Sequence, residues 1–287
     1  MATSGSSSQL RPTRLLTQQD KLARAHEEEV YPLFGQKMAD LLTADLALSP
    51  RAHILQIGCG LGSTIAELLH KMDADSRLIA VEATPALIER ARASVDSELL
   101  GKRGFFRAHK LDGKLPFAEN GFDHVLANVA LPELASPAAQ LAELVRVTKP
   151  GAQLRLATPL AGTWREFLDV YSDVLLRLRK HEMVEALAAY RNTFYEPETL
   201  ATELETAGMA KVTVETVHWD LIFRTGREFF YAPVIELGPL SRWKAIAGKG
   251  PDMQDVFLAV KQAIDTYYGG TAFSVSVVAG MFSGVKA

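Results

Sequence analysis

The chain contains a single cysteine, Cys59, among 287 residues. No intramolecular disulfide can form, which excludes a bridge-held framework and fits a reducing, cytoplasmic setting. No CxxC, HExxH or carboxylate–histidine spacing marks a metal site. No run of about 18 apolar residues exists, so no membrane-spanning helix is expected. An excess of positive charge is missing too. Lys and Arg number 31 against 34 Asp and Glu, a formal net charge of -3, so there is no basic footprint for nucleic acid. The one basic run, Arg177-Leu178-Arg179-Lys180-His181, reads as a charged helix face. Met1 to Gln9 is serine-rich, lacks an apolar core and reads as a disordered tail rather than a signal peptide. There is no internal repeat, and nothing in the pattern specifies an oligomeric state.

What is present is an alternation of strands and helices. His53-Ile54-Leu55-Gln56-Ile57 leads into Gly58, Gly60 and Gly62, and helix formers follow from Thr64 to Met72. This is a strand, a tight turn and a helix, the first unit of an open α/β sheet that binds a nucleotide-like ligand. Leu78 to Glu82 is a second apolar strand ending in an acid. Thr84 and Pro85 then open a helix to about Asp96. Phe105 to Lys110, Phe122 to Asn128 and Gln153 to Ala157 read as further strands, with a helix at Pro137 to Val147 and a turn at Lys149-Pro150-Gly151. The spacing predicts βαβ units with right-handed crossovers, hence a parallel sheet covered on both faces.

Upstream, the apolar spacing from Thr13 to Leu48 predicts helices, and Pro32 is expected to open the second of them. Downstream, Arg165 to Tyr190 reads as one or two helices with no strand between, an insertion or lid whose apolar stripe suits core packing. Pro197 to Ala207 is another helix, ended by Gly208. Lys211 to Trp219 alternates as a strand, Pro239 to Ala247 and Asp252 to Tyr268 are helical, and Ala272 to Phe282 is β-rich. The expected layout is a tail at 1–9, a helical cap at 10–50, and a domain at 51–287 carrying an insertion at 161–196.

Three strand ends carry candidate chemistry. Glu82 lies about 20 residues past the glycine turn, where an acid accepts hydrogen bonds from ribose hydroxyls. Asp112 follows the third strand and can accept a hydrogen bond from an adenine amino group. Asn128 ends the fourth, either holding the polar end of a ligand or capping the strand. Cys59, inside the turn, reads as a small buried thiol. His218 is a strand histidine with no assigned role.

Together these motifs resemble the class I S-adenosylmethionine-dependent methyltransferases, in particular bacterial small-molecule enzymes related to the ubiquinone- and biotin-pathway methyltransferases. The resemblance covers about residues 28 to 160 and is carried by Ile54 to Gly62, Val81-Glu82-Ala83-Thr84-Pro85, Asp112-Gly113-Lys114-Leu115-Pro116-Phe117, Phe122-Asp123-His124-Val125 and Arg146 to Gly151. It implies a Rossmann-like sheet with a C-terminal antiparallel strand. It also implies S-adenosylmethionine as cofactor, held by Tyr31, Gln56, Gly58, Cys59, Gly60, Glu82, Ala83, Asp112, Gly113 and Asn128. Two residues depart from the family pattern. Gln56 stands where an acid is usual, and Glu133 where a histidine is common. A sulfonium donor needs alignment and exclusion of water more than acid–base help, so no catalytic residue is assigned. The expected activity is methyl transfer to a small, largely apolar molecule. The alternatives are a methyltransferase-like binding or regulatory module without activity, and an NAD-dependent oxidoreductase. The glycine spacing disfavours the latter, because Ser63 occupies the position where the dinucleotide fingerprint wants its third glycine or alanine.

Overall fold

Apolar runs bounded by turn residues become strands where both faces can be covered. The computed structural model describes residues 17–111 and 113–287. Its strands are β1 (His53–Ile57), β2 (Arg77–Glu82), β3 (Gly104–Ala108), β4 (Phe122–Asn128), β5 (Thr148–Pro159), β6 (Met209–Phe223) and β7 (Phe273–Lys286). They form one seven-stranded sheet in the order β3-β2-β1-β4-β5-β7-β6. β1 to β5 pair in parallel, and β7 runs antiparallel between β5 and β6. The strand order reverses between β1 and β4, which opens a crevice at their carboxyl ends.

The helices are α1 (Gln18–Ala25), α2 (Gln36–Thr43), α3 (Ser63–Lys71), α4 (Pro85–Ala93), α5 (Ser97–Leu100), α6 (Pro137–Val147), α7 (Arg165–Arg177), α8 (His181–Arg191), α9 (Pro197–Thr206), α10 (Gly226–Tyr231), α11 (Pro233–Glu236), α12 (Leu240–Ile246) and α13 (Gly250–Tyr267). The two sheet faces carry separate cores, one around Ile54, Ile65 and Leu78, the other around Leu55, Val125 and Leu156. A third core holds the inserted helices to the β6–β7 end of the sheet. There Phe167 stacks 4.0 Å from Trp243, and Phe229 lies 4.9 Å from Phe167. Aromatic pairs of this kind add about 0.5–1.5 kcal/mol each beyond area burial, so the stripe on α7 is core, as its spacing suggests.

Pro32 does not open a helix. Between α1 and α2 the chain forms a continuous wide π-type segment, His26–Gly35, with Pro32 inside it. The looser i→i+5 pattern accommodates a residue with no N–H that an α-helix interior would reject. The Lys149-Pro150-Gly151 turn is likewise absorbed into β5. The pairing jumps from Phe122–Thr148 to His124–Gln153, so the extra residues form a bulge, with Gly151 at φ 76°. The expected tail at 1–9 and the first residues of the expected helical region lie outside the described residues.

Candidate functional site

The site grows from the crevice between β1 and β4. Two glycines of the turn have different physical reasons. Gly58 has φ 68°, and a Cβ there would stand 2.0 Å from the Asn128 carbonyl oxygen, so only glycine lets the two strand ends meet. Gly60 has φ 53°, and a Cβ there would meet nothing within 4 Å. Its open side faces space a ligand can enter.

Glu82 ends β2 beside this turn and is buried. Its Oε2 accepts the Gly60 N–H at 3.0 Å, and its Oε1 accepts those of Ala83 and Thr84 at 2.7 and 3.2 Å. The carboxylate offers about four lone-pair directions, so Oε2 keeps one unused. Gly58 and Cys59 in turn donate to the Val81 carbonyl at 2.9 and 3.1 Å. The Cys59 thiol is buried, and burial, with the Glu82 charge second, pushes its pKa well up. It is a packing residue, not a nucleophile. Gln56 is 2 % exposed. Its Nε2 donates to the Thr64 hydroxyl, while its Oε1 has no partner among the described residues.

Asp112 lies outside the described residues. Past it, Glu143 accepts the Leu115 N–H at 2.7 Å, and Arg146 donates to the Leu115 and Phe117 carbonyls, pinning the loop that begins at Gly113. Asp123 accepts the His53 N–H at 2.8 Å and pairs with Lys149 at 2.7 Å. It holds β1, β4 and β5 together at the edge away from the crevice. Tyr31 is half-buried on the π-type segment, its ring against Gly35. Glu27 of the same segment pairs with Arg90 of α4 at 3.3 Å, which lays the segment over the helix that follows Glu82.

Beside the crevice is a cavity of about 210 Å³. Val30 and Phe34 wall it from the π-type segment, Trp164 from the start of the insertion, Phe194 from its end, and Ala130 and Glu133 from the chain leaving β4. Glu133 and His26 are its titratable groups among the described residues. The Tyr190 hydroxyl donates to Glu133 Oε1 at 2.8 Å. Burial pushes the Glu133 carboxyl above its usual range, against that hydrogen bond and the charge of Arg242. Burial lowers His26. The sequence marks Glu133 only as a departure from a family pattern; its partner Tyr190 is too far along the chain for spacing to reveal it. His218 is exposed on β6, 4.0 Å from Asp220, and does not line the cavity. A wider, open groove of about 720 Å³ between α7 and α9, lined in part by Arg165, Arg191 and Glu203, shares only Phe194 with the cavity among the described residues and includes neither Glu133 nor His26.

A mostly parallel sheet with a glycine turn at its switch point, an acid closing the next strand and an apolar cavity alongside define this α/β domain. Residues 55–156 match the family model described as a methyltransferase domain. This segment is thus a methyltransferase domain by sequence, and it gives the nicotinamide alternative no support. A demethylmenaquinone methyltransferase of Lactiplantibacillus plantarum is 27% identical over 178 residues, 59% of this chain and 75% of that protein. An uncharacterized methyltransferase of Schizosaccharomyces pombe is 36% identical over 107 residues, 34% of this chain and 36% of that protein. The chain thus spans three quarters of the first relative and about a third of the second. Phosphoethanolamine N-methyltransferase 2 of Haemonchus contortus, solved with phosphomonomethylethanolamine and S-adenosylhomocysteine, shares the fold. Its TM-score is 0.53 at 14% identity, over 95% of this chain and 59% of that one. Among the described residues no helix is long and apolar enough to cross a membrane.

Proposed function

We propose that this protein binds S-adenosylmethionine in the β1–β4 crevice and transfers its methyl group to a small, largely apolar molecule in the adjacent cavity. The observation that carries the reading is the pairing of an open Gly60 with a buried Glu82 that already accepts its N–H. Two features fit the cofactor. Gln56 Oε1 is a buried acceptor without a partner among the described residues, suited to the ammonium of the amino-acid end. Gly60 leaves an uncovered cradle where the backbone can be approached closely. Glu82 would accept from the ribose hydroxyls, the Asp112–Gly113 loop would meet the adenine, and Asn128 and Tyr31 would border the amino-acid end, with Cys59 and Ala83 lining the turn.

Bound S-adenosylmethionine supplies a methyl group already activated by the sulfonium charge. What this chain must add is alignment and exclusion of water, and Val30, Phe34, Trp164 and Phe194 provide an apolar wall for that purpose. The single buried thiol is consistent with a cytoplasmic location. Calorimetric titration with S-adenosylhomocysteine tests the reading: saturable binding supports it, and no binding to folded protein at millimolar ligand overturns it. Because Gln56 lacks the usual charge, a regulatory module without turnover is the second reading. Saturable binding with no methyl transfer to any acceptor in a cell extract would favour it.

A further inference from the structure

We infer that Glu133 is the proton acceptor of the reaction and that the methyl acceptor is a neutral apolar molecule bearing an ionisable hydroxyl, a phenol or an enol. This rests on the methyltransferase reading above. Glu133 is the only carboxylate among the described residues that line the cavity, whose other walls are largely apolar. Its Oε1 is fixed by the Tyr190 hydroxyl at 2.8 Å, while its Oε2 takes no hydrogen bond among the described residues. One oxygen is thus oriented and the other is left to a ligand. Glu133 also ends the short turn Leu131–Glu133, which leaves β4 just past Asn128, and the Asn128 carbonyl packs on Gly58. The same strand end therefore borders both the glycine turn and the carboxylate.

The charges decide between a hydroxyl and a cationic amine. Three titratable groups among the described residues face this carboxylate or its cavity: His26 from the π-type segment, Tyr190 from α8 and Arg242 from α12. Arg242, 6.0 Å from the Tyr190 ring centre, lies behind Tyr190, and its positive charge acts on Glu133 and opposes the entry of an ammonium. Burial favours proton uptake by Glu133, which suits a base. In the step, the acceptor O–H proton passes to Glu133 Oε2 as the oxygen–methyl bond forms. The sulfur–methyl bond breaks with its electron pair staying on sulfur, giving a neutral thioether, a methyl ether and a protonated Glu133 that returns its proton to solvent.

The test uses the full chain saturated with S-adenosylhomocysteine and three probes: 2-naphthol, naphthalene and the cationic 1-naphthylmethylamine. Binding is read by quenching of tryptophan fluorescence, since Trp164 lines the cavity. Naphthol is expected to bind at least tenfold tighter than either of the others, and Glu133→Leu to abolish that preference while keeping naphthalene binding, which reports an intact cavity. Equal binding of naphthol and naphthalene, a preference for the amine, or a variant that retains the naphthol preference each overturns the assignment. With S-adenosylmethionine, Glu133→Gln should slow methylation of 2-naphthol by about a hundredfold or more without changing S-adenosylhomocysteine affinity; an unchanged rate overturns the base role. Tyr190 is a positioning residue. Tyr190→Phe should move the acidic limb of the naphthol methylation profile to higher pH, because the lost donor no longer stabilises the carboxylate; a fall in rate at all pH values without that shift overturns this role. Absence of S-adenosylhomocysteine binding, with the naphthol preference intact in unliganded protein, would instead overturn the parent reading.

Discussion

The Asn128 carbonyl oxygen stands 2.0 Å from the point a Cβ on Gly58 would occupy. The carboxyl ends of β1 and β4 are therefore closed against each other by the absence of one methyl group. Gly58→Ala must push β4 away and strain a φ of 68°. A loss of about 2–4 kcal/mol of stability is expected from overpacking and backbone strain together, read by chemical denaturation. Gly60→Ala, which meets no atom within 4 Å, should cost only the backbone strain yet still obstruct a ligand. Equal stabilities for the two variants would contradict this division of roles.

Glu82 has two tasks. It clasps the Gly60, Ala83 and Thr84 N–H groups and retains a free lone-pair direction on Oε2. Glu82→Ala is expected to weaken S-adenosylhomocysteine binding by about 1.5–3 kcal/mol, the value of a hydrogen bond to a charged group. Calorimetry on folded variant protein checks this, and unchanged affinity would remove Glu82 from the site.

The sheet was legible wherever the relevant interactions are local. β1, β4 and α6 begin and end where apolar runs and Pro or Gly signals place them. The misread elements depend on context that local spacing does not carry. Pro32 breaks an α-helix, but a π-type segment can hold it, and that segment is fastened by the Trp219 indole donating to the Leu33 carbonyl at 3.1 Å from β6, far along the chain. The Pro150-Gly151 turn became a bulge because β5 continues to pair on both sides of it. The glycine turn and Glu82 could be found by their spacing. The cavity could not, since its walls come from the π-type segment, the chain after β4 and both ends of the insertion.

His124 makes stability depend on pH. It is buried on β4, its Nε2 accepts the Ser49 N–H at 3.1 Å, and burial lowers its pKa, against the charge of Asp123. A depressed histidine contributes stability that is present above the unfolded pKa of about 6.5 and is lost as pH falls through the folded value. The denaturation midpoint should therefore drop between neutral pH and about pH 5. His26, also lowered by burial, acts with the same sign. His124→Gln should flatten part of the slope, and an unchanged slope would show that His124 does not contribute.

Gln56→Glu tests the departure that bears most on cofactor binding. The side chain is 2 % exposed, its Nε2 donates to Thr64, and its Oε1 is unpartnered among the described residues. A carboxylate at that position would be a buried charge without a cationic partner in the free protein, so the unliganded melting temperature should fall. The bound cofactor brings an ammonium, and a hydrogen bond to a charged acceptor exceeds a neutral one by about 1 kcal/mol. The variant should accordingly be less stable alone and bind S-adenosylhomocysteine roughly five- to tenfold more tightly. Thermal melting with and without ligand, beside calorimetry, reads both effects. Weaker binding together with lower stability would mean that Gln56 faces Thr64 only and does not meet the cofactor's amino group.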